Sequence, residues 1–416
     1  MSAARRWTLL ILLAVAMFIA YVDRINLSVV IAVPDFTAHF GLDPTRRGIL
    51  NSAFFWSYAL GQLPAGMIID RAGTKYPLAV CFAVWSLASV ATSFAASLEQ
   101  LFALRLLLGA SEAIIVPAAM CWIRAHMPAG ERGMATGIFT SGSNLGVMSG
   151  VLVTTLLVTR LGWQGMYVVL GLSSLAWLLP WLVLSRHDPA NRPAPASGAS
   201  ASHALSLREL ARSPAVWGTS LGTFCKSYFG IFCLTWLPSY FVERHGISLQ
   251  AMSVIVSISY AGMAATSIAA GFWADRLIRS GHGAVRVYRG LTMLGLALCT
   301  IQIGGVFVDS KLAALLLAVA PLAGLGIASV NCWALTQVLI PRASIGRVYG
   351  IQNFASSLAG VAASIVTGWL LHRTGSYVAP MAAILIVLLI GLGSYALLTA
   401  ERFRLVDDAT EILSPA

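Results

Sequence analysis

Five charged side chains lie inside long apolar stretches of the sequence, whereas most other charges lie between those stretches. They are Asp23, Arg24, Arg105, Glu112 and Lys226. An ionisable residue at membrane depth is costly unless it is paired or faces a wet cavity, so it marks an ion or substrate pathway. Carboxylates can take up protons, and guanidinium or ammonium groups can bind an acid group of a ligand. This set therefore predicts proton binding coupled to anion binding.

Asp23 and Glu112 are the candidates for proton coupling. Burial disfavours the charged form of a carboxylate and a nearby arginine favours it, so a balanced site can change protonation when an anion occupies the arginine. None of the seven histidines lies inside an apolar stretch, which leaves the carboxylates for this role. The alternative interpretation of each acid is a static ion pair between two helices.

Arg24, Arg105 and Lys226 are the candidates for anion recognition, because a guanidinium stays charged and offers paired donors to a carboxylate. Arg105 and Glu112 are seven residues apart, so on a helix they share a face but stand about 10 Å apart along the axis. We expect each to contact a ligand or another helix. Asp23 and Arg24 differ by about 100° around their helix, so they should face different neighbours. The cations of one helix are then expected to face the carboxylates of the other.

Lys226 lies near the middle of its apolar stretch, with Gly222 and Gly230 on its two sides, where they should loosen the helix. It could bind a second carboxylate or a polar substituent of the substrate. The alternatives are a lysine that extends to the membrane interface or one that pairs with Asp23 or Glu112. Arg105 could likewise be an interfacial anchor. Additional polar contacts to the substrate are predicted from Tyr58, Tyr228 and Asn353.

The elements that must position these residues are membrane-spanning helices. The chain has 416 residues, of which 58% are hydrophobic and 10% charged, against about 25% charged in soluble domains. Twelve apolar stretches are each long enough to cross a bilayer core of about 30 Å, and they are too long and too continuously apolar for barrel strands. We therefore predict an all-α membrane protein with twelve transmembrane helices. The stretches are 7–31, 46–69, 76–96, 100–122, 132–158, 163–184, 214–242, 250–274, 286–308, 311–335, 346–371 and 376–399.

The net charge of +11 reflects membrane orientation. With a cytoplasmic N-terminus, most Lys and Arg residues fall in segments predicted to be cytoplasmic, as the positive-inside rule requires. This predicts that both termini are cytoplasmic, and it removes the reason to expect a nucleic-acid partner. Compact loops without an exposed glycosylation sequon favour a multi-pass protein of the bacterial inner (plasma) membrane.

Other function classes lack their sequence signatures. All six cysteines lie inside apolar stretches and none forms a C-x-x-C pair, so they are expected to be packing residues. We find no metal-ligand spacing, no catalytic triad pattern and no phosphate-binding G-x-x-x-x-G-K-[ST] motif. The sequence therefore predicts no metal, no cofactor, no enzyme activity and no ATP-driven transport.

The chain is predicted to divide into two halves. A polar segment rich in Pro, Ala and Ser separates the apolar stretches six and six, and this composition is typical of a flexible linker. The predicted parts are an N-terminal six-helix half at 1–184, a cytoplasmic linker at 185–213, a C-terminal six-helix half at 214–400 and a cytoplasmic tail at 401–416.

The two halves carry similar motifs at corresponding places. Residues 66–75 (GMIIDRAGTK) follow the second stretch, and residues 271–276 (GFWADR) follow the eighth. The fifth and eleventh stretches also begin alike, with ATGIFTSGSNLG from Ala135 and VYGIQNFASSLAG from Val348. Internal duplication is typical of secondary transporters, which bind substrate near the middle of the membrane between the repeats.

With these motifs and the central linker, the sequence resembles the major facilitator superfamily over nearly its whole length. Within it, YVDRINLS at 21–28, LRLLLGASE at 104–112, GIFTSG at 137–142 and WLPSY at 236–240 resemble the anion:cation symporter family. That family includes sugar-acid, tartrate, phthalate and hydroxyphenylacetate transporters. The resemblance implies the major facilitator fold, a monomer, proton coupling at the two matching acids, and substrate or gating roles for the two matching arginines. Lys226 is not part of the family pattern.

The residues of the two loop motifs are expected to act in conformational gating. They would hold the outward-open state through charge pairs and helix-end contacts that break as the two halves rock. These residues are Asp70, Arg71, Gly73, Lys75, Asp275 and Arg276.

The function predicted from the sequence is secondary active transport by alternating access. The partners would be a small organic anion, protons and the lipid bilayer, with a sugar acid or small aromatic carboxylate imported in symport with protons. A proton-independent facilitator or exchanger of organic anions is the alternative within transport. A membrane sensor that transports nothing is the alternative from another class.

Overall fold

A computed structural model describes residues 2–128, 131–186, 205–308, 310–341 and 344–405. All regular elements in these ranges are helical, which confirms the predicted all-α class. The helices of the first part are α1 (Ala3–Ile31), α2 (Pro34–His39), α3 (Pro44–Ala72), α4 (Lys75–Thr92), α5 (Leu98–Glu112), α6 (Ile115–His126), α7 (Arg132–Leu175) and α8 (Leu178–Leu184). Those of the second part are α9 (Leu207–Arg212), α10 (Pro214–Thr235), α11 (Leu237–His245), α12 (Leu249–Arg279), α13 (Ala284–Cys299), α14 (Lys311–Leu339), α15 (Ile345–Thr374) and α16 (Val378–Leu398). Two 3₁₀ segments, Thr300–Phe307 and Glu401–Phe403, complete the described elements.

Each of the twelve predicted stretches falls on one or two of these helices. Within the described ranges, nine helical segments are long and apolar enough to cross a membrane, and one of them, Met134–Leu184, covers two predicted stretches. These two stretches meet at Gly162, whose φ of 71° and ψ of 174° break the helical path and suit only a residue without a Cβ. The helices α3 and α10, with 29 and 22 residues, account for the remaining two stretches.

The structure adds two local details to the predicted helices. The fourth stretch is not one continuous helix, because α5 ends at Glu112 and α6 begins at Ile115. The last residues of the predicted linker form α9, whose start is stabilised by a capping box in which Ser206 and Glu209 bond each other's backbone N–H groups. Most of the linker, residues 187–204, lies outside the described residues.

The chain forms two compact units. The first contains Met1–Ser197, Leu234–Ser257 and Ser364–His372, and the second contains Gly198–Cys233, Ile258–Ala363 and Arg373–Ala416. The predicted division into halves at residues 185–213 stays a prediction.

In the first unit, α1 is fixed against α7 by glycines that recur every four residues. A Cβ added at Gly146 would stand 2.5 Å from the Phe18 carbonyl oxygen, and one added at Gly150 would stand 2.9 Å from the Ile25 side chain. Because these positions lack side chains, the two helices pack with their backbones close together. This contact fixes the position of residues 18–25 of α1, the segment that carries the charged pair.

A second glycine contact in the first unit fixes α3 against α5. A Cβ added at Gly109 would overlap the carbonyl oxygen of Phe54 and the hydroxyl of Ser57. One added at Gly61 would stand 2.9 Å from the Cβ of Ala113. The close approach brings the aromatic residues of α3 beside the last turn of α5, where Glu112 lies.

The first unit also joins segments that are far apart in sequence. Arg47, near the start of α3, forms an ion pair with Glu243 of α11. Gly48 lies so close to α15 that an added Cβ would stand 2.5 Å from the Ser364 carbonyl oxygen. The beginning of α3 is therefore held between α11 and the C-terminal part of α15.

In the second unit, α10 packs against α16. The Ser394 hydroxyl donates to the Gly218 carbonyl oxygen at 2.8 Å, and Gly222 faces the ring of Tyr395 so closely that an added Cβ would overlap it. The helix α10 is continuous from Pro214 to Thr235, through both glycines. Gly222 instead provides the space for an aromatic ring of the neighbouring helix.

Candidate functional site

The centre of the first unit contains a buried ion pair between α1 and α5. Arg24 Nε lies 2.8 Å from Glu112 Oε2, with side-chain exposures of 10% and 0%. The Arg24 Cζ atom lies 4.6 Å from the ring centre of Tyr21, 4.9 Å from that of Phe54 and 4.7 Å from that of Tyr58. These distances are within the range for cation–π attraction. Three aromatic rings and one carboxylate therefore surround the guanidinium, and we call these five residues the arginine cage.

The ion pair of the arginine cage uses only part of its bonding capacity. Arg24 Nη2 and Glu112 Oε1 are both buried and form no hydrogen bond with the described part of the chain. An arginine and a carboxylate often form two parallel N–H···O hydrogen bonds, but here one is made, from Arg24 Nε to Glu112 Oε2. The guanidinium therefore has one donor nitrogen that the described part of the chain leaves without a hydrogen bond.

Asp23 lies in a separate polar cluster on the same turn of α1. Its Oδ1 atom accepts from Asn26 Nδ2 and from the Ser89 hydroxyl, both at 3.4 Å. Its Oδ2 atom is buried and, within the described ranges, has no hydrogen-bond partner. Within the described ranges, the Asp23 carboxyl group therefore accepts hydrogen bonds from neutral side chains alone, although the Arg105 guanidinium lies at its backbone.

Arg105 holds this cluster together from α5. Its Nη2 atom donates to Asn26 Oδ1 at 3.0 Å and to the Tyr167 hydroxyl at 2.8 Å, and its Nη1 atom donates to the Asp23 carbonyl oxygen at 3.4 Å. The side chain is 3% exposed. An interfacial anchor would extend to the membrane surface, whereas this guanidinium is enclosed by α1 and α7.

These contacts decide which of the predicted pairings form. Asp23 and Arg24 face different neighbours, as predicted, and Glu112 has its partner on α1. The expectation that each cation of one helix faces a carboxylate of the other holds for Arg24 and Glu112. The expectation is wrong for Arg105, which donates to the Asp23 carbonyl oxygen and to Asn26 Oδ1 rather than to a carboxylate. The reason is that the side-chain oxygen of Asn26 lies one turn further along α1, within reach of Arg105.

Of the five charged residues singled out in the sequence, Lys226 lies in the second unit, on α10. It is 9% exposed, and its Nζ atom lies 5.7 Å from the ring centre of Trp333 on α14. No acidic side chain of the described ranges forms an ion pair with it. Of the other predicted substrate contacts in this unit, Tyr228 is buried and Asn353 is exposed.

The predicted gating residues lie at helix ends. Gly73, with φ of 73°, ends α3. Lys75 is buried at the start of α4, with its Nζ atom 4.9 Å from the ring centre of Tyr76. Arg71, Asp275 and Arg276 are exposed, and the side chain of Asp70 lies outside the described part of the structure.

Sequence reasoning missed five residues that complete the two clusters. They are Tyr21, Asn26, Phe54, Ser89 and Tyr167. Helical spacing could have indicated some of them, because Tyr21 precedes Arg24 by three residues and Asn26 follows Asp23 by three. Nothing in the sequence indicated the contributions of α4 and α7, because these depend on helix packing.

The comparison with known proteins agrees with the resemblance seen in the motifs. Residues 13–364 match the family model described as "Major Facilitator Superfamily". The chain is 30% identical to a probable sulfoacetate transporter of Cupriavidus necator over 95% of its own length and 93% of that protein. It is 28% identical to the D-galactonate transporter of Escherichia coli O6:H1 over 96% and 97% of the two chains.

A solved structure shows the same fold. The inward-facing, occupied form of a bacterial homologue of the human lysosomal transporter Spinster has a TM-score of 0.83 and 18% sequence identity, and the alignment covers 98% of this chain and 100% of that one. The family match, the helical spans and this fold describe a multi-pass membrane transporter rather than an enzyme. The chain belongs to the Major Facilitator Superfamily.

Proposed function

We propose that this protein is a secondary active transporter that imports an organic anion together with protons. The observation that carries the proposal is the incomplete ion pair of the arginine cage, in which Arg24 Nη2 and Glu112 Oε1 are buried and have no hydrogen-bond partner among the described residues. A pair that served only to hold α1 against α5 would gain from a second bond between these same two groups. The pair instead leaves one donor of the guanidinium unbonded inside a buried aromatic enclosure.

The coupling follows from competition for Arg24. An acid group that binds Nη2 brings a second negative charge to a guanidinium that already balances Glu112. A carboxylate buried without its own counter-charge is costly, so Glu112 is stabilised by taking up a proton when the anion binds. The same coupling acts in reverse, because protonation of Glu112 leaves Arg24 with an unbalanced positive charge that attracts an anion. Anion and proton therefore favour each other's binding.

Asp23 is the second proton site of this proposal. Its hydrogen-bond donors, Asn26 and Ser89, are neutral, and Arg105 contacts its backbone rather than its carboxylate. A buried carboxylate without a direct cation is expensive to keep ionised. Because Asp23 and Arg24 are adjacent in α1, a rearrangement of this turn on anion binding would reach both acids.

The relatives support the anionic substrate. Proteins named for D-galactonate, L-galactonate and sulfoacetate are 27–30% identical to this chain over most of its length. These compounds are small organic acids, two of them sugar acids, which fits a site centred on a guanidinium. We propose a sugar acid or another small organic acid as substrate. We also propose a monomer in the bacterial plasma membrane with both termini in the cytoplasm.

Uptake into proteoliposomes tests this function. Purified protein is supplied with a panel of sugar acids, aromatic acids and dicarboxylates, with and without an inward proton gradient, and the Glu112→Gln variant is assayed in parallel. We expect gradient-driven accumulation of at least one acid by the unmodified protein. Glu112→Gln should abolish accumulation and retain exchange of internal for external substrate, because a neutral glutamine mimics the protonated state permanently.

The matched control is Glu99→Gln, which removes an exposed carboxylate from the first turn of the same helix. It should accumulate substrate as the unmodified protein does. Equal uptake with and without the proton gradient would show that the protein is a facilitator or exchanger, and Glu112 would then have only a structural role. Accumulation that survives Glu112→Gln would remove the arginine cage from the coupling mechanism.

A further inference from the structure

Hydrogen bonds join three helix ends of the first unit at the start of α1. Arg5 Nε donates to the carbonyl oxygen of Leu184, the last residue of α8, at 3.0 Å. Arg6 Nη1 donates to the carbonyl oxygen of His126, the last residue of α6, at 3.5 Å. The Nε atom of Arg6 is buried and has no hydrogen-bond partner among the described residues. Two arginines of α1 therefore lie at the C-terminal ends of α6 and α8.

The start of α7 lies at the same place. Arg132 Nη2 donates to the Arg124 carbonyl oxygen at 3.0 Å, and Arg132 Nε donates to the Met127 carbonyl oxygen at 3.1 Å. Arg186 follows the end of α8 by two residues. Arg124, Arg132 and Arg186 are exposed, and all four helix ends belong to the first unit. We call the five arginines of these helix ends the basic cluster: Arg5, Arg6, Arg124, Arg132 and Arg186.

The charge of the basic cluster is not balanced by the described part of the chain. None of its arginines forms an ion pair with an acidic side chain of the described ranges. Glu131 is the only acid in the described segments at these four helix ends, so five arginines and one glutamate leave four positive charges in excess. The partial charges of about 0.5 at the two helix starts and the two helix ends cancel. The cluster therefore needs an anion from outside these segments.

The opposite end of the first unit is arranged differently. At the start of α3, Arg46 pairs with Asp43 and Arg47 pairs with Glu243, so these arginines have acidic partners within the protein. Membrane orientation requires basic residues on one side but no defined geometry for them. The basic cluster has a defined geometry, because helix-end carbonyl groups hold three of its guanidinium groups in place.

Exposed apolar side chains lie beside the basic cluster. The helices α1 and α8 are adjacent, since Trp177 Nε1, just before α8, donates to the Leu12 carbonyl oxygen at 2.8 Å. On their surfaces Ile11 is 55% exposed, Leu179 69% and Val183 53%. In a helix that spans a bilayer, such surfaces face hydrocarbon chains. An anion that carries its own hydrocarbon chains can therefore contact the arginines and the apolar surfaces together, whereas a soluble anion would contact the arginines alone.

We propose that the basic cluster binds the phosphate headgroup of an anionic phospholipid, whose acyl chains lie along the exposed surfaces of α1 and α8. A guanidinium group offers paired donors to phosphate oxygens, and basic pockets at the ends of membrane-spanning helices suit lipid phosphates. The headgroup supplies the missing negative charge and an acceptor for the unbonded Nε atom of Arg6. This inference does not depend on the transported substrate or on proton coupling.

Native mass spectrometry of the full-length protein, released from neutral detergent micelles, tests the site. The probes are phosphatidylglycerol and phosphatidylcholine with identical acyl chains, so that the two lipids differ in the charge and chemistry of the headgroup alone. The unmodified protein should bind phosphatidylglycerol at least tenfold more tightly than phosphatidylcholine. This preference should decrease as the ionic strength of the buffer is raised, because salt screens exposed charges.

A double variant, Arg124→Gln with Arg186→Gln, removes two exposed charges and leaves the described helix-end hydrogen bonds in place. It should lower the affinity for phosphatidylglycerol at least tenfold and leave the affinity for phosphatidylcholine within threefold. The matched control is Arg46→Gln with Arg160→Gln, which removes two exposed arginines from the opposite end of the same unit. The control should retain the lipid preference, and monodisperse elution in gel filtration shows that each variant is folded.

Competition separates a lipid site from a site for a soluble phosphate. Inorganic phosphate and glycerol 3-phosphate, each at the concentration of phosphatidylglycerol that half-saturates the protein, should leave the lipid bound. Displacement of the lipid by either compound at that concentration would overturn the lipid assignment. Equal binding of the two lipids by the unmodified protein would overturn it as well, and so would an equal loss of affinity in the double variant and its control.

Discussion

Replacing Arg24 by lysine tests whether the spare donor of the arginine cage binds the anion. Arg24 Nε bonds Glu112, while Nη2 is buried and has no partner among the described residues. Under the proposed function, two acid groups would therefore bind two different nitrogens of one guanidinium. A lysine has a single nitrogen, which must be shared between Glu112 and the anion. The variant keeps the charge and loses one charge-assisted hydrogen bond, worth about 1.5–3 kcal/mol. We therefore expect anion affinity to fall about 10- to 100-fold.

The assay is equilibrium binding of the panel acid with the highest uptake, measured on purified protein at constant pH. Arg46→Lys is the matched control, because Arg46 lies on α3 with 55% of its side chain exposed and pairs with Asp43 at the helix start. Its affinity should match that of the unmodified protein. If the anion affinity of Arg24→Lys lies within threefold of that of the unmodified protein, the anion does not need a second guanidinium nitrogen. Arg24 would then act through its positive charge alone.

Two further substitutions test the supports of the site. Gly109→Ala should destabilise the protein by about 1–3 kcal/mol, since the added methyl group would overlap the backbone of α3. The control is Gly137→Ala, whose added Cβ has no neighbour within 4 Å. This variant should not lower the thermal unfolding midpoint. Tyr167→Phe removes the hydroxyl that accepts from Arg105 at 2.8 Å and should cost about 1–3 kcal/mol for the unsatisfied donor. A Tyr167→Phe protein with unchanged thermal stability would show that this hydrogen bond contributes little.

The sequence was sufficient to predict the spans and the intramembrane charges. Apolar length and continuity determine a spanning helix in any surroundings, so all twelve stretches fall on helices. The points at which a helix is interrupted were harder to predict from the sequence. The change of direction at Gly162 depends on one backbone conformation, and the end of α5 directly after Glu112 leaves no signal in the apolar pattern.

The neighbours of the charged side chains could be predicted only as far as the geometry of a single helix determines them. Helical geometry correctly separates Asp23 from Arg24, because neighbouring residues on a helix must face different directions. It cannot show that Phe54 stands against Arg24, because that contact depends on how closely α3 and α5 approach at Gly109. Glycine spacing indicates which helix faces can approach closely, but the neighbouring helix is known only once the fold is formed.

Arg24 and Arg105 have the same predicted role in the sequence, but they differ in how many of their guanidinium nitrogens form hydrogen bonds in the structure. Arg105 donates from both terminal nitrogens to atoms of the protein, namely an amide, a phenol and a backbone carbonyl. Arg24 donates to one carboxylate, and its Nη2 atom, enclosed by aromatic rings, has no hydrogen bond with the part of the chain that the structure describes. A ligand that displaced the contacts of Arg105 would have to replace three hydrogen bonds, whereas a ligand at Arg24 gains one without breaking any. Anion binding should therefore begin at Arg24, with Arg105 acting first to hold the Asp23 turn of α1 in position.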